Sequence, residues 1–274
     1  MTMSVEAVKH IQETANIPAI ANQLVDAKTQ VPVALVPSSM EVESLERYMP
    51  NASRMRMNYR TTSIEDFIKY SSDNELPCST CFVDAEEMNA ETIIDLGSEA
   101  SPGHKDHKAK LNLKKTAAFK AILNINGVKQ AQKSAAEFLE DWAGDGLAVL
   151  NSAGDVMNLQ ASVKALLDMT IESAREVNSK VGDFGESMSA MERIEAKNQE
   201  SLPSEIIFSC SPYNGLDIRD FKLRVGVLTG GDKPSIVYRI VALELQEEDI
   251  AEEFKGKLNA AFETTGISTY IGTA

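Results

Sequence analysis

Apolar and polar residues recur along this chain with two periods, one helical and one extended, and the alternation divides it into elements. Val5, Val8, Ile11 and Ala15 fall at helical spacing and predict a helix over 3–15. Val31–Pro37 reads as a short buried strand, placed at a sheet edge or strand end by its two prolines. Met55, Met57 and Tyr59 share one face of an extended stretch over 54–59. Ser63, followed by Glu65 and Asp66, marks a helix start over 63–70, because the hydroxyl can cap free N–H groups and the acids meet the positive helix end. Strands are expected at 79–84 and 91–96. The clearest alternation is 107–115, where Lys108, Lys110, Asn112 and Lys114 point one way and Ala109, Leu111 and Leu113 the other.

Helices are expected over 116–125 and 132–142, the second with Ala135, Phe138, Leu139 and Trp142 on one stripe. A long amphipathic helix is predicted near 159–181. Leu159, Val163, Leu166, Ile171, Ala174 and Val177 lie on its apolar side at 3–4 spacing, which suits self-association through a coiled-coil-like seam. The same stripe also suits a helix lying on its own sheet. The polar, methionine-containing stretch 182–203 is a hinge candidate between an N-terminal region, 1–181, and a C-terminal region, 204–274, although the two can pack as one domain. Beyond it the pattern turns β-rich, with a strand at 205–211 and a hairpin of 219–229 with 235–245 across Gly230–Pro234. Glu247–Asp249 opens a helix that Gly266 stops, and 267–271 can return as a strand. The fold class is α+β, with a largely antiparallel sheet and several helices.

Hydrophobic residues make up 43% of the 274, enough for a packed core. No run approaches the ~20 apolar residues of a membrane helix, and residues 1–16 lack the apolar core of a signal peptide, so no membrane is expected. Three cysteines without disulfide spacing fit a reducing cytosol. Net charge is −14, which argues against wrapping DNA with the whole surface. The charge is uneven, however. Residues 103–133 hold eight lysines and one acid, a local +7 that leaves the remainder at −21.

Three constellations carry candidate chemistry. Cys78 and Cys81 with His104 and His107 supply two thiolates and two imidazoles, a conceivable zinc set with a tight histidine spacing. His104, Asp106 and His107 form a cluster suited to a divalent metal or to proton transfer, the basis for a metal-dependent hydrolase or nuclease. The extra carboxylates that would complete such a site are not visible, and a solvated turn explains the same residues. Lys108, Lys110 and Lys114 on one strand face can neutralise phosphates, or can simply protect an exposed edge from pairing. No aromatic residue interleaves with these lysines, so a base-stacking platform is not expected. Phosphate loops, dinucleotide fingerprints, the GxSxG elbow and HExxH are all missing, and no cofactor is expected.

Val33-Ala-Leu-Val-Pro37 leading into Glu43-Ser-Leu-Glu46, Gly103-His-Lys-Asp-His107, Leu113-Lys-Lys-Thr116, and the helix from Gln132 through Glu137-Phe-Leu-Glu-Asp to Trp142 occur in this order across most of the chain. Together they resemble the YfdQ-like family of phage and prophage proteins, a domain of unknown function. The resemblance implies a phage accessory factor made in the host bacterial cytoplasm, outside the virion-assembly set, and it implies no activity. The expectation is therefore a non-enzymatic homo-oligomer that binds a host defence or DNA-processing protein, or nucleic acid. The expected surfaces are the lysine strand, the His104–His107 turn and the acidic segments 137–145 and 244–253. Rival readings are the hydrolase or nuclease above and a structural protein of a phage assembly.

Overall fold

A computed structural model describes residues 4–11, 14–15, 46–144, 146–169, 202–228 and 233–274. The chain divides into two units, Met1–Met55 and Arg56–Ala274. In the first, residues 5–11 are helical, with Val5, Val8 and Ile11 exposed, and a short 3-10 turn spans Glu46–Tyr48. The strand expected at 31–37 lies outside the described residues.

The second unit opens with β1 (Met57–Thr61), α1 (Ile64–Asp73), β2 (Thr80–Asp84), β3 (Asn89–Ile93) and β4 (His107–Asn112). Next come α2 (Ala117–Ile125), β5 (Lys129–Ala131), α3 (Gln132–Asp141), β6 (Leu147–Leu150), β7 (Val156–Met157) and α4 (Leu159–Asp168). After residue 201 follow β8 (Glu205–Cys210), β9 (Arg219–Leu228), β10 (Ser235–Ile240), α5 (Leu243–Phe262) and β11 (Ser268–Ile271). The strands form a five-stranded sheet, β1-β4-β3-β2-β11, and a six-stranded sheet, β5-β10-β9-β8-β6-β7. Pairing is antiparallel except at β1–β4 and β11–β2. The fold is α+β, as the alternating periods predicted.

Each sheet buries one face under helices. In the five-stranded sheet, Cys81, Val83, Ala90, Thr92, Ala109 and Leu111 are fully buried beneath α1 and α5. Phe67 of α1 meets Phe262 of α5 edge to face at 6.2 Å, and the Ser71 hydroxyl donates to Thr92 Oγ1 at 3.1 Å. Ser63 caps α1 as expected, accepting from the Asp66 N–H at 3.2 Å. In the six-stranded sheet, Phe138 of α3 packs on Phe208 and Tyr238, and Phe119 of α2 on Phe221. The buried Tyr238 hydroxyl donates to the Ala135 carbonyl at 2.9 Å. The buried side chains of both layers form one core.

Both sheets take strands from either side of residues 182–203. β5 pairs with β10, β6 with β8, and β11 with β2. By contacts, Arg56–Ala274 form one unit, and the hinge candidate lies outside the described residues except for 202 and 203.

The long helix expected over 159–181 is shorter. α4 stops at Asp168, where Met169 turns extended, and the Gln132 side-chain amide donates to the Leu166 and Met169 carbonyls at 2.8 Å each. That amide satisfies carbonyls that another helical turn would otherwise use. Val163 and Leu166 are buried within the chain, at 6% and 0% exposure, and Leu159 packs against the same core. The described half of the expected self-association stripe is thus internal, while Ile171, Ala174 and Val177 lie outside the described residues. Among the described residues, no helix is long and apolar enough to cross a membrane.

Candidate functional site

The segment from Asp95 to His107 folds back on a single carboxylate. Asp95 Oδ1 accepts from the His107 N–H at 3.0 Å and Oδ2 from the Asp106 N–H at 3.3 Å. The Gly103 N–H donates to the Leu96 carbonyl at 2.9 Å, and the Lys105 N–H to the Asp95 carbonyl at 3.4 Å. Lys105 sits at φ +60°, a left-handed conformation that non-glycine residues seldom adopt.

His104, Asp106 and His107 do not converge. His107 is only 3% exposed, and its Nε2 lies 3.0 Å from the Tyr70 hydroxyl. Tyr70 stacks on Tyr59 at 4.5 Å, and burial together with the Tyr59 phenol raises its pKa. His104 is exposed on the outside of the turn, and Asp106 faces Arg56 at 3.7 Å. The zinc set is not assembled either. Cys78 is exposed in a turn at φ +71°, whereas Cys81 is buried on β2 opposite Thr92. Burial pushes the Cys81 thiol up to about 12 despite a hydrogen bond with Thr92 that lowers it. Among the described residues, no group of three or more His, Cys, Asp or Glu is placed to hold a metal ion.

The lysine strand is as its alternation predicted over β4, with Ala109 and Leu111 buried and Lys108 and Lys110 on the outer face. The strand ends at Asn112, one rung before the in-register hydrogen bond from the Leu113 N–H to the Met88 carbonyl. Lys114 is exposed just past that end, not on the strand. Glu91 of β3 holds both strand lysines, Lys108 at 3.1 Å and Lys110 at 3.6 Å. Arg60 of β1 stands directly opposite Lys110 in register. Arg60 and Lys114 share a shallow open cavity of about 530 Å³ with Thr61, Thr62, Asn112 and Leu113.

Aromatic residues join the same face from strands far away in sequence. Directly paired residues share a face of a sheet, and the register runs Tyr270, Phe82, Glu91, Lys110, Arg60 across β11, β2, β3, β4 and β1. Phe82 and Tyr270 stack at 6.1 Å with their planes 26° apart, and Tyr270 is 59% exposed. The absence of aromatics beside the lysines holds along the strand and fails across the sheet. Sequence reasoning missed Phe82, Tyr270 and Arg60. Phe82, between the inward Cys81 and Val83, carried a parity signal, but the pairing of β11 with β2 carried none.

The acidic segment 244–253 lies on α5. There Arg219 meets Glu253 at 2.8 Å, and Lys257 bridges Glu253 at 3.2 Å and Asp217 at 2.9 Å. Glu244, Glu247 and Glu248 line a cavity of about 360 Å³ together with Met88, Phe119, Ile250 and Lys115, whose ammonium lies 5.9 Å from the centre of the Phe119 ring. In the other acidic segment, Glu137 pairs with Lys133 at 3.6 Å on the surface of α3.

Comparison with known proteins gives one family. A family model described as an uncharacterized conserved protein (DUF2303) matches residues 4–274. No curated protein matches the chain, and no solved structure does.

Proposed function

We propose that this chain, which belongs to the DUF2303 family of uncharacterized conserved proteins, is a non-enzymatic phage accessory protein of the host bacterial cytoplasm. It binds polyanions, nucleic acid above all, on the outer face of its five-stranded sheet. The observation that carries this reading is the cluster of Arg60, Lys108 and Lys110 around the single carboxylate of Glu91, on the face opposite α1 and α5. In a protein of net charge −14, that cluster is a local surplus of cations. One carboxylate between two ammonium groups holds the lysine stems in place without cancelling their charge, so phosphates meet an ordered array. The buried ring of His107 and the separation of His104 from it favour binding over hydrolysis at the neighbouring turn.

Fluorescence anisotropy with a labelled oligonucleotide tests the reading. Three neutralised phosphates give a slope of log affinity against log salt of about −2 for a single strand. The combined Arg60→Gln, Lys108→Gln and Lys110→Gln variant should lose affinity and flatten that slope. Unchanged affinity and slope would remove this face from consideration. A second reading, a host protein partner, is favoured by the cavity between Phe119 and α5, where Glu86, Glu244, Glu247 and Glu248 outnumber the chain's own Lys115 around an apolar lining and so suit a further cationic side chain. Affinity capture with Glu247→Gln/Glu248→Gln as the comparison tests it, and a partner retained equally by both proteins would refute it.

A further inference from the structure

The outer face is two surfaces side by side. Toward β1 it is cationic, with Arg60, Lys110 and Lys108; toward β11 it is aromatic, with Phe82 and Tyr270. Glu91 stands between the two halves in the same cross-strand row. At about 4.8 Å per strand, Tyr270 lies roughly 14 Å from Lys110 and roughly 19 Å from Arg60, a span of a few nucleotides. A duplex rail of phosphates running through the row would meet the Glu91 carboxylate and then two rings, and neither attracts phosphate. Unpaired bases, by contrast, have open π-faces that stack on exposed aromatic rings. Tyr270 offers such a face, being 59% exposed and already stacked on its other side against Phe82. A tyrosine at a solvent-facing position of an edge strand contributes little to the core, so its ring is available to a ligand.

We infer that this face binds single-stranded nucleic acid, with a base stacked on Tyr270 beside Phe82 and the backbone phosphates along Lys110, Lys108 and Arg60. The inference rests on the polyanion reading above and names the class of polyanion. Glu91 takes a second role in it. Its carboxylate, fixed by two lysines, accepts hydrogen bonds from exocyclic amino groups of a base and repels a phosphate that strays toward the rings.

The test compares three labelled probes on the full chain: a deoxythymidine 20-mer, an abasic phosphodiester oligomer of the same length, and a 20-base-pair duplex. The wild-type protein should bind the deoxythymidine strand more tightly than either of the others. Tyr270→Ala should weaken that binding roughly 5- to 150-fold, the range for losing one stacked base, and leave the abasic oligomer unaffected. Tyr270→Phe should restore it, since the ring and not the hydroxyl is the platform. Tyr270 is exposed, so the variant should keep the wild-type melting temperature, and Phe82→Ala provides an independent second loss. Equal affinity for the deoxythymidine and abasic strands, or full binding by Tyr270→Ala, would overturn the stacking inference. If the Arg60, Lys108 and Lys110 variant still weakened binding in that case, the polyanion reading would survive alone. No binding of any probe would refute both.

Discussion

Replacing Gly103 by alanine should disrupt the turn that precedes β4. A Cβ built on Gly103 would lie 1.6 Å from the Asp95 carbonyl oxygen, 2.6 Å from its carbon and 2.9 Å from the Leu96 carbonyl carbon. All three are backbone atoms, so no side-chain rotation relieves the overlap, and the two segments must separate by more than ~1 Å. That movement breaks the Gly103-to-Leu96 hydrogen bond and strains the Lys105-to-Asp95 bond. It also pulls the Asp95 carboxylate from the Asp106 and His107 N–H groups. Two neutral bonds at about 0.5–1.5 kcal/mol each and two charge-assisted bonds at about 1.5–3 each give a loss of roughly 4–9 kcal/mol if all four break. In a unit of this size the melting temperature should fall by roughly 8–36 °C. Gly256 supplies the matched control: it sits inside α5 with nothing within 4 Å of its added Cβ. Gly256→Ala should stabilise by about 1 kcal/mol, since alanine favours the helix interior. Calorimetric melting of both variants checks the reasoning. A Gly103→Ala protein that melts with the wild type would show that the turn is not close-packed and that Gly103 is not required by it.

Other outcomes follow from single contacts. At pH 8, a thiol reagent should modify Cys78 quickly and leave Cys81 and Cys210 untouched until the protein unfolds, because burial raises those two thiols to about 12 and about 11; fast labelling of two or three thiols in the native protein would contradict this. Burial pushes the Glu253 carboxyl up, but hydrogen bonds from Arg219, the Asp217 N–H and Lys257 outweigh it and hold its pKa below the ordinary value, while Lys257 does the same for Asp217. Depressed folded values mean stability present at neutral pH and lost as pH falls below about 4.5, so Glu253→Gln should be less stable at pH 7 and lose less than the wild type on acidification; parallel pH profiles would sink the assignment. Gln132→Ala should lower stability by about 1–2 kcal/mol in urea melts by freeing the carbonyls at the end of α4, and an unchanged midpoint would show that water replaces the amide without loss.

Local chemistry was legible where it was strong. Ser63 with two acids behind it marked α1, and the period of two in 107–112 marked β4 and its buried face. That same parity puts His107 on the side of Ala109 and Leu111, so its burial was readable; its titratable ring drew attention instead as a surface group. β5, β6 and β7, at two to four residues each, are too short for periodicity to register. α5 begins at Leu243, earlier than the acids at 247–249 suggested, because Ala242 makes the reversal at φ +51° where no glycine advertises it. The end of α4 depends on Gln132, a residue from another helix. The aromatic half of the candidate site depends on pairing between residues 82 and 270, which sequence neighbours do not encode.

The pairing of β11 with β2 also governs when the five-stranded sheet can be completed. During synthesis, Tyr270 leaves the ribosome about 190 residues after its register partner Phe82. At 5–20 residues per second the delay is roughly 10–40 s. For that interval β2 presents an unpaired edge to the crowded cell, and the six-stranded sheet waits likewise for β8, β9 and β10. Four strands of the first sheet lie within residues 57–112 and can pair early. Its fifth strand and the closing of the second sheet wait for residues beyond 204, so completion of the core is a late, long-range event with the slow kinetics that distant contacts impose. A chain cut before residue 268 would lack β11 and leave the β2 edge of the first sheet without its partner strand.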